Sequence, residues 1–155
     1  LSQHLDTNRS EFKRHLEKGV SMMASSLRAL HSVAQTMPDA ALTLIAMSPL
    51  LSGTNTITGL QSLHHKECDR LECPAKELRA MGIAVSTTVD TITVEAKDPA
   101  AFKPHTLTTY HDHRMAMAFS LLGSRCKTLQ IDDKLVVNKT YPNYWQDYQK
   151  LRTSQ

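Results

Sequence analysis

The chain predicts an α/β (α+β) domain made of two copies of one unit, and three observations carry that expectation. Segments with apolar residues at helical spacing alternate with short β-branched segments along residues 39–152. Laid on itself with a shift of 73 residues and no gap, the sequence brings Asp39 onto Asp112, Lys66 onto Lys139 and Leu78 onto Leu151. The helix patterns 39–51 and 112–122 then coincide, and Asn55–Thr58 falls on Thr128–Ile131. Finally, 155 residues at 41% apolar and 21% charged content suit one compact domain with a core of its own. A unit of helix, strand, loop lysine and helix cannot bury its sheet alone, so the copies should share a core.

The elements follow in order. EFKRHLEKG (11–19) and VSMMASSLRALHSVA (20–34) read as helix in two pieces, the first ending on Gly19. Pro38 opens a helix over 39–51, and Gly53 closes it. TNTITGL (54–60) alternates as a strand does. Residues 68–82 form a helix stopping at Gly82, with Pro74 marking its first turn or its true start. IAVSTTVDTITVEA (83–96) is a hairpin turning near Thr88–Asp90. HTLTTY (105–110) is a strand, 112–123 a helix ending at Gly123, KTLQID (127–132) a strand and 141–152 a last helix. The stripe Met115, Met117, Phe119, Leu121 and Leu122 is most simply core.

Composition excludes several functions. Net charge is only +3 and aromatic content 5%, which leaves neither an electrostatic footprint nor stacking platforms for nucleic acid. The longest apolar run, 40–51, carries Pro49 and is too short to span a bilayer. The first thirty residues alternate charge and show no signal peptide. Cys68, Cys73 and Cys126 are an odd set at no framework spacing, which points to reduced thiols in a cytoplasmic compartment.

The chemistry concentrates where helices begin. HHKECDRL (64–71) places Lys66, Glu67 and Arg70 around a helix start, and Asp112, His113 and Arg114 open a later one. Free N–H groups at helix starts and forked guanidinium donors bind anions, so Lys66, Arg70, Arg114 and Lys139 point to a small, highly anionic ligand. The plainer readings are a solvated charged surface, with Asp39 and Asp112 as caps. Glu67 among cations is ionised by default and serves as an acid only where burial or ligand charge raises its pKa. His64, His65, Cys68 and Cys73, with His111 and His113 as spares, match neither a paired CxxC nor an HExxH spacing, so no metal is expected.

PDAALTL (38–44), KECDRL (66–71), DHRMAMAFSLL (112–122) and KTYPNYW (139–145) resemble the C-terminal part of 5-enolpyruvylshikimate-3-phosphate synthase, in that family's order and spacing. The resemblance covers about residues 36–152, with 1–35 a poorly matching helical lead-in and two repeat units at about 39–96 and 105–152. It implies a fold of repeated βαβαββ units with helices enclosed by sheets. It implies transfer of the enolpyruvyl group of phosphoenolpyruvate to the 5-hydroxyl of shikimate 3-phosphate, with release of phosphate, and no metal or organic cofactor. By match, Asp39 would be the base and Glu67 the proton donor and acceptor at the methylene carbon. Lys66 would contact the shikimate moiety and assist the base, and Ser62 would reach a shikimate hydroxyl. Arg70, Arg114 and Lys139 would hold phosphoenolpyruvate, with His113 beside them.

Two residues depart from the family's pattern. Ser62 stands where asparagine is usual, and His64 where arginine is usual. Both bear on substrate affinity more than on fold. The family's N-terminal domain falls outside the resemblance, so this chain alone is expected to turn over little or nothing. The alternative is a non-catalytic anion-binding module that keeps the fold.

Overall fold

The computed structural model describes residues 37–153, so the helices expected at 11–19 and 20–34 lie outside the described residues. The elements in order are α1 (Pro38–Met47), β1 (Thr54–Ile57), α2 (Glu72–Ala80), β2 (Val85–Thr87), β3 (Ile92–Glu95), β4 (His105–Leu107), α3 (His113–Gly123), β5 (Leu129–Ile131) and α4 (Tyr144–Thr153). Short 3-10 turns at Ser48–Leu50, Gln61–His65, Pro99–Ala101 and Leu135–Lys139 link them.

Two of the helices are buried or half-buried along every face. No residue from 39 to 50, nor any from 113 to 123, is exposed. Their sequences explain this, being apolar or small on every face rather than along one stripe. α1 and α3 pack on each other, and Leu42, Ile45, Met115 and Phe119 from them sit in one core cluster with Ile57, Leu78, Ile92 and Val94. Each such side chain contributes about 1.5–3 kcal/mol by leaving water. Of the predicted stripe, Met115, Phe119 and Leu122 are buried, while Met117 and Leu121 are half-buried. α2, by contrast, is amphipathic: Ala75 and Leu78 face the core, and Glu72, Lys76 and Arg79 face solvent.

β1, β3 and β2 form an antiparallel sheet in that order, with Ile57 opposite Ile92 and Val85 opposite Val94. Alternation is clean in β1, where Asn55 and Ile57 are buried and Thr54 and Thr56 exposed. The buried Asn55 is satisfied by donating to the Ser48 carbonyl at 3.2 Å. β4 and β5 pair in parallel, His105 opposite Leu129. A second, smaller cluster joins Ala116, Val137 and Tyr144, flanked by Tyr141, Trp145 and Tyr148.

Several boundaries differ from the sequence reading: the helix expected to 51 ends at Met47 and passes into the turn Ser48–Leu50, and the strands expected over 54–60 and 127–132 shorten to Thr54–Ile57 and Leu129–Ile131. The helix expected from residue 68 begins at Glu72, because Asp69 Oδ1 takes the N–H groups of Leu71 and Glu72, both at 3.0 Å, and so opens it. It ends where Gly82 takes φ +78°, as expected of a closing glycine. The strand expected over 105–110 stops at Leu107, since Tyr110 and His111 turn left-handed at φ 54° and 57°. The helix expected from 141 starts at Tyr144.

A shift of 73 residues carries α1 onto α3, β1 onto β5, the turn Gln61–His65 onto Leu135–Lys139 and α2 onto α4, each to within three residues. We propose on this basis that 39–96 and 105–152 are copies of one unit, with the β2–β3 hairpin belonging to the first. The copies are not equal in surroundings: β1 is paired antiparallel and β5 parallel.

Candidate active site

The N-termini of the two buried helices meet at one side chain. Arg70, in the turn before α2, is 1% exposed and heads the largest fully buried side chains. Its Nε donates to Asp112 Oδ2 at 2.7 Å and its Nη2 to Asp112 Oδ1 at 3.2 Å, a forked grip on the residue that caps α3. Nη1 donates to Asp39 Oδ1 at 2.8 Å, in the first turn of α1, and Nη2 to Glu67 Oε2 at 2.5 Å. A guanidinium out of water needs such partners, and this one has three carboxylates. Asp39 and Asp112, equivalent under the 73-residue shift, thus bind the same arginine.

Two of the other three cations are paired as well. Arg114 Nη2 lies 3.1 Å from Asp39 Oδ2, and Lys139 Nζ lies 3.4 Å from Glu67 Oε1. The sequence reading left these cations open for a ligand. The structure instead closes them on the chain's own carboxylates, three cations against three anions, because the helix starts that gather one sign also gather the other. Asp112 is fully buried, whereas the Glu67 and Asp39 side chains are 37% and 43% exposed. An arriving anion can therefore take the places of Glu67 and Asp39 on Arg70 without disturbing Asp112. Ser62 and Lys66 are exposed, on and just after the turn Gln61–His65, and their side chains have no hydrogen-bond partner among the described residues.

Electrostatics set the protonation states. Burial pushes the Asp112 carboxyl up, but the Arg70 hydrogen bond and the Arg114 backbone N–H outweigh it and hold the carboxyl below its ordinary range. Glu67 is lowered chiefly by its own backbone N–H; partial burial opposes this and Arg70 adds to it. Glu67 is therefore a carboxylate here, ready to accept a proton rather than give one. His113 is pushed down by burial, partly offset by Asp112, so its imidazole is neutral at neutral pH. Its buried Nδ1 has no hydrogen-bond partner among the described residues and stands 3.9 Å from Asp112 Oδ1.

The lowered carboxyls give the stability profile a sign. A folded pKa below the unfolded value of about 3.9 stabilises the fold above that pH and is lost as pH falls through the folded value. The chain should therefore lose stability steeply below about pH 4. Asp112→Asn should start less stable at neutral pH and lose less on acidification, as urea unfolding followed at several pH values will show. Equal acid slopes for the two proteins would remove Asp112 from the account.

The description of a matching family model, EPSP synthase (3-phosphoshikimate 1-carboxyvinyltransferase), applies to residues 10–148. The chain belongs to the EPSP synthase family. It is 40% identical over 117 residues to 3-phosphoshikimate 1-carboxyvinyltransferase 2 of Halalkalibacterium halodurans, covering 74% of this chain and 26% of that protein. Identity to the 3-phosphoshikimate 1-carboxyvinyltransferase of Ralstonia nicotianae is 39% over 128 residues, covering 83% and 29%. The fold is similar to EPSP synthase from Acinetobacter baumannii, with TM-score 0.62 and 30% identity over 68% of this chain and 25% of that one. The chain thus spans about a quarter of the length of the family members it matches. No helix among the described residues is long and apolar enough to cross a membrane.

Of the residues singled out from sequence, Asp39, Glu67, Arg70, Arg114 and Lys139 form one ion-paired cluster, and His113 abuts it through Asp112. The sequence reading assigned Asp112 only a cap. Its match to Asp39 in the repeat was the signal that both serve one partner. Cys68, weighed as a metal ligand, instead turns its Sγ to Asp112 Oδ2 at 3.5 Å.

Proposed function

We propose that the chain supplies the C-terminal wall of an enolpyruvyl transfer site, acting on phosphoenolpyruvate and shikimate 3-phosphate and releasing phosphate. The observation that carries this reading is the Arg70 cluster, built from the family's KE-x-DR and DHRMAMA segments, with exposed carboxylates standing where an anionic substrate would bind.

In the proposed reaction Asp39 takes the proton of the shikimate 5-hydroxyl while its oxygen attacks the carbon bearing phosphate. The methylene carbon gains a proton, which Glu67 delivers. The tetrahedral intermediate then loses phosphate, which carries off the proton held by Asp39, and the new methyl group returns one proton to Glu67. Glu67 begins as a carboxylate, so it must acquire its proton as substrate arrives. Phosphoenolpyruvate binding does this by displacing Glu67 from Arg70 and Lys139 and bringing negative charge beside it. Arg70, Arg114 and Lys139 then hold the carboxylate and phosphate, and Lys66 and Ser62 meet the shikimate ring. A cleft with one wall neither excludes water nor orients two substrates, so the rest of the family's length completes it.

The test is a hybrid in which this chain replaces the corresponding quarter of the Acinetobacter baumannii protein. The hybrid should release phosphate from the two substrates, while the 155-residue chain alone stays at background. Glu67→Gln in the hybrid should lower kcat by about 10²–10⁴-fold, the usual worth of a positioned acid or base. A folded hybrid whose rate ignores that substitution would sink the role of Glu67, and one with no turnover would leave the chain an anion-binding module.

A further inference from the structure

His64 lies on the turn Gln61–His65 and makes two short contacts: Nδ1 stands 2.8 Å from Asp69 Oδ2, and Nε2 stands 2.8 Å from the Val89 carbonyl oxygen. A carboxylate and a peptide carbonyl only accept hydrogen bonds, so both ring nitrogens must donate. Only the imidazolium has two N–H groups; either neutral tautomer satisfies one contact and sets a lone pair against the other oxygen.

The two contacts join three pieces of the fold. Asp69 uses its other oxygen to open α2, and Val89 is at the tip of the β2–β3 hairpin. A backbone bond from Leu60 N to Asp90 O at 2.8 Å runs alongside. The segment enclosed between His64 and Asp69 carries Lys66 and Glu67. We propose that doubly protonated His64 is a positioning residue, locking the loop of Lys66 and Glu67 between the hairpin tip and the start of α2. This rests on the proposed function, in which Lys66 and Glu67 meet the substrates.

The charges around the ring agree. The Asp69 hydrogen bond, then the Val89 carbonyl, raise the His64 pKa above its ordinary value; slight burial opposes them, and Glu72 adds a little. Glu72 is itself paired with Arg79 at 3.6 Å. From the hairpin, Asp90 is the nearest acid in sequence, its Oδ1 taken by the hydroxyls of Thr88 and Thr91. On the turn itself His65 and Lys66 are exposed. A raised folded pKa means that the lock is present below the ordinary value near 6.5 and is lost as pH rises through the folded value. Arginine donates from several nitrogens at every accessible pH, so His64→Arg should hold the loop without a pH limit.

The experiment follows ring nitrogens and backbone amides of the isotopically labelled 155-residue chain by NMR between pH 5 and pH 9, with shikimate 3-phosphate plus phosphoenolpyruvate as the probe. His64 should carry protons on both nitrogens at the acid end, and the amides of Lys66, Glu67, Asp69 and Val89 should shift with its midpoint. Ligand affinity should fall severalfold through that midpoint relative to His64→Arg, a ratio that cancels the titration of the ligand's own phosphate. A singly protonated ring at pH 5, loop amides indifferent to its titration, or an affinity ratio flat with pH each overturns the proposal. No binding to either chain at any pH overturns the functional reading instead, and the ring and amide titrations still report the lock.

Discussion

Arg70→Ala is expected to cost about 3–5 kcal/mol, the largest loss of any single substitution in the cluster. The reason is the charge left behind. Asp112 is fully buried and holds its carboxyl ionised against Arg70 on two oxygens. With the arginine gone it must either stay charged without a counter-ion or take up a proton at neutral pH. Removing Asp112 as well should recover part of the loss, so Arg70→Ala with Asp112→Asn will be more stable than the simple sum of the two effects. Arg70→Lys should fall between, since one ammonium cannot span Asp112, Asp39 and Glu67 at once. Urea unfolding of the wild type, the three single variants and the double variant decides the matter: a loss under roughly 1 kcal/mol for Arg70→Ala would mean the cluster is solvated.

Glu77→Ala should cost about 2–4 kcal/mol, although Glu77 touches none of the proposed site residues. Glu77 is 3% exposed on α2. Its Oε2 accepts from His105 Nε2 at 2.6 Å and Thr108 N at 3.1 Å, and its Oε1 from the Tyr110 hydroxyl at 2.6 Å. One carboxylate therefore anchors the end of β4 and the left-handed turn of Tyr110 and His111 that delivers Asp112 to its place. Burial first, and then Glu77, push the Tyr110 hydroxyl well above its usual pKa. Glu77→Gln keeps the shape but removes the charge, so Tyr110 should titrate at lower pH, visible in ultraviolet absorbance. An unchanged tyrosine titration would detach Tyr110 from Glu77.

These two residues show what a sequence can and cannot tell. The helix and strand order, the hairpin and the 73-residue correspondence were legible because apolar spacing and identical residues survive in one dimension. That Arg70, Glu67, Asp39, Arg114 and Lys139 belong together was legible from family resemblance. That they neutralise one another was not, since pairing depends on which helix starts meet. That Asp69 holds the N–H groups opening α2, so that the helix begins at Glu72 rather than 68, was not legible beside Pro74, which fits inside the first turns. Glu77 was invisible: a glutamate on a charged-looking helix gives no hint that its partners lie 28 to 33 residues away.

The grip of Arg70 on two equivalent aspartates has a further consequence for how the chain reaches its folded state. Asp39 and Asp112 each sit at the start of a buried helix, one in each half, and Arg70 belongs to the first half. A first half formed on its own would hold a guanidinium with only its own acids to face, and a second half alone a capping carboxylate with no counter-charge. The first half keeps Glu67 and Asp39 on Arg70, whereas the second leaves buried Asp112 uncompensated, so the second half should order only together with the first. The side chains assigned to chemistry should then also couple the two halves during folding. Hydrogen exchange at the start of α3 should accordingly follow global opening rather than local fraying.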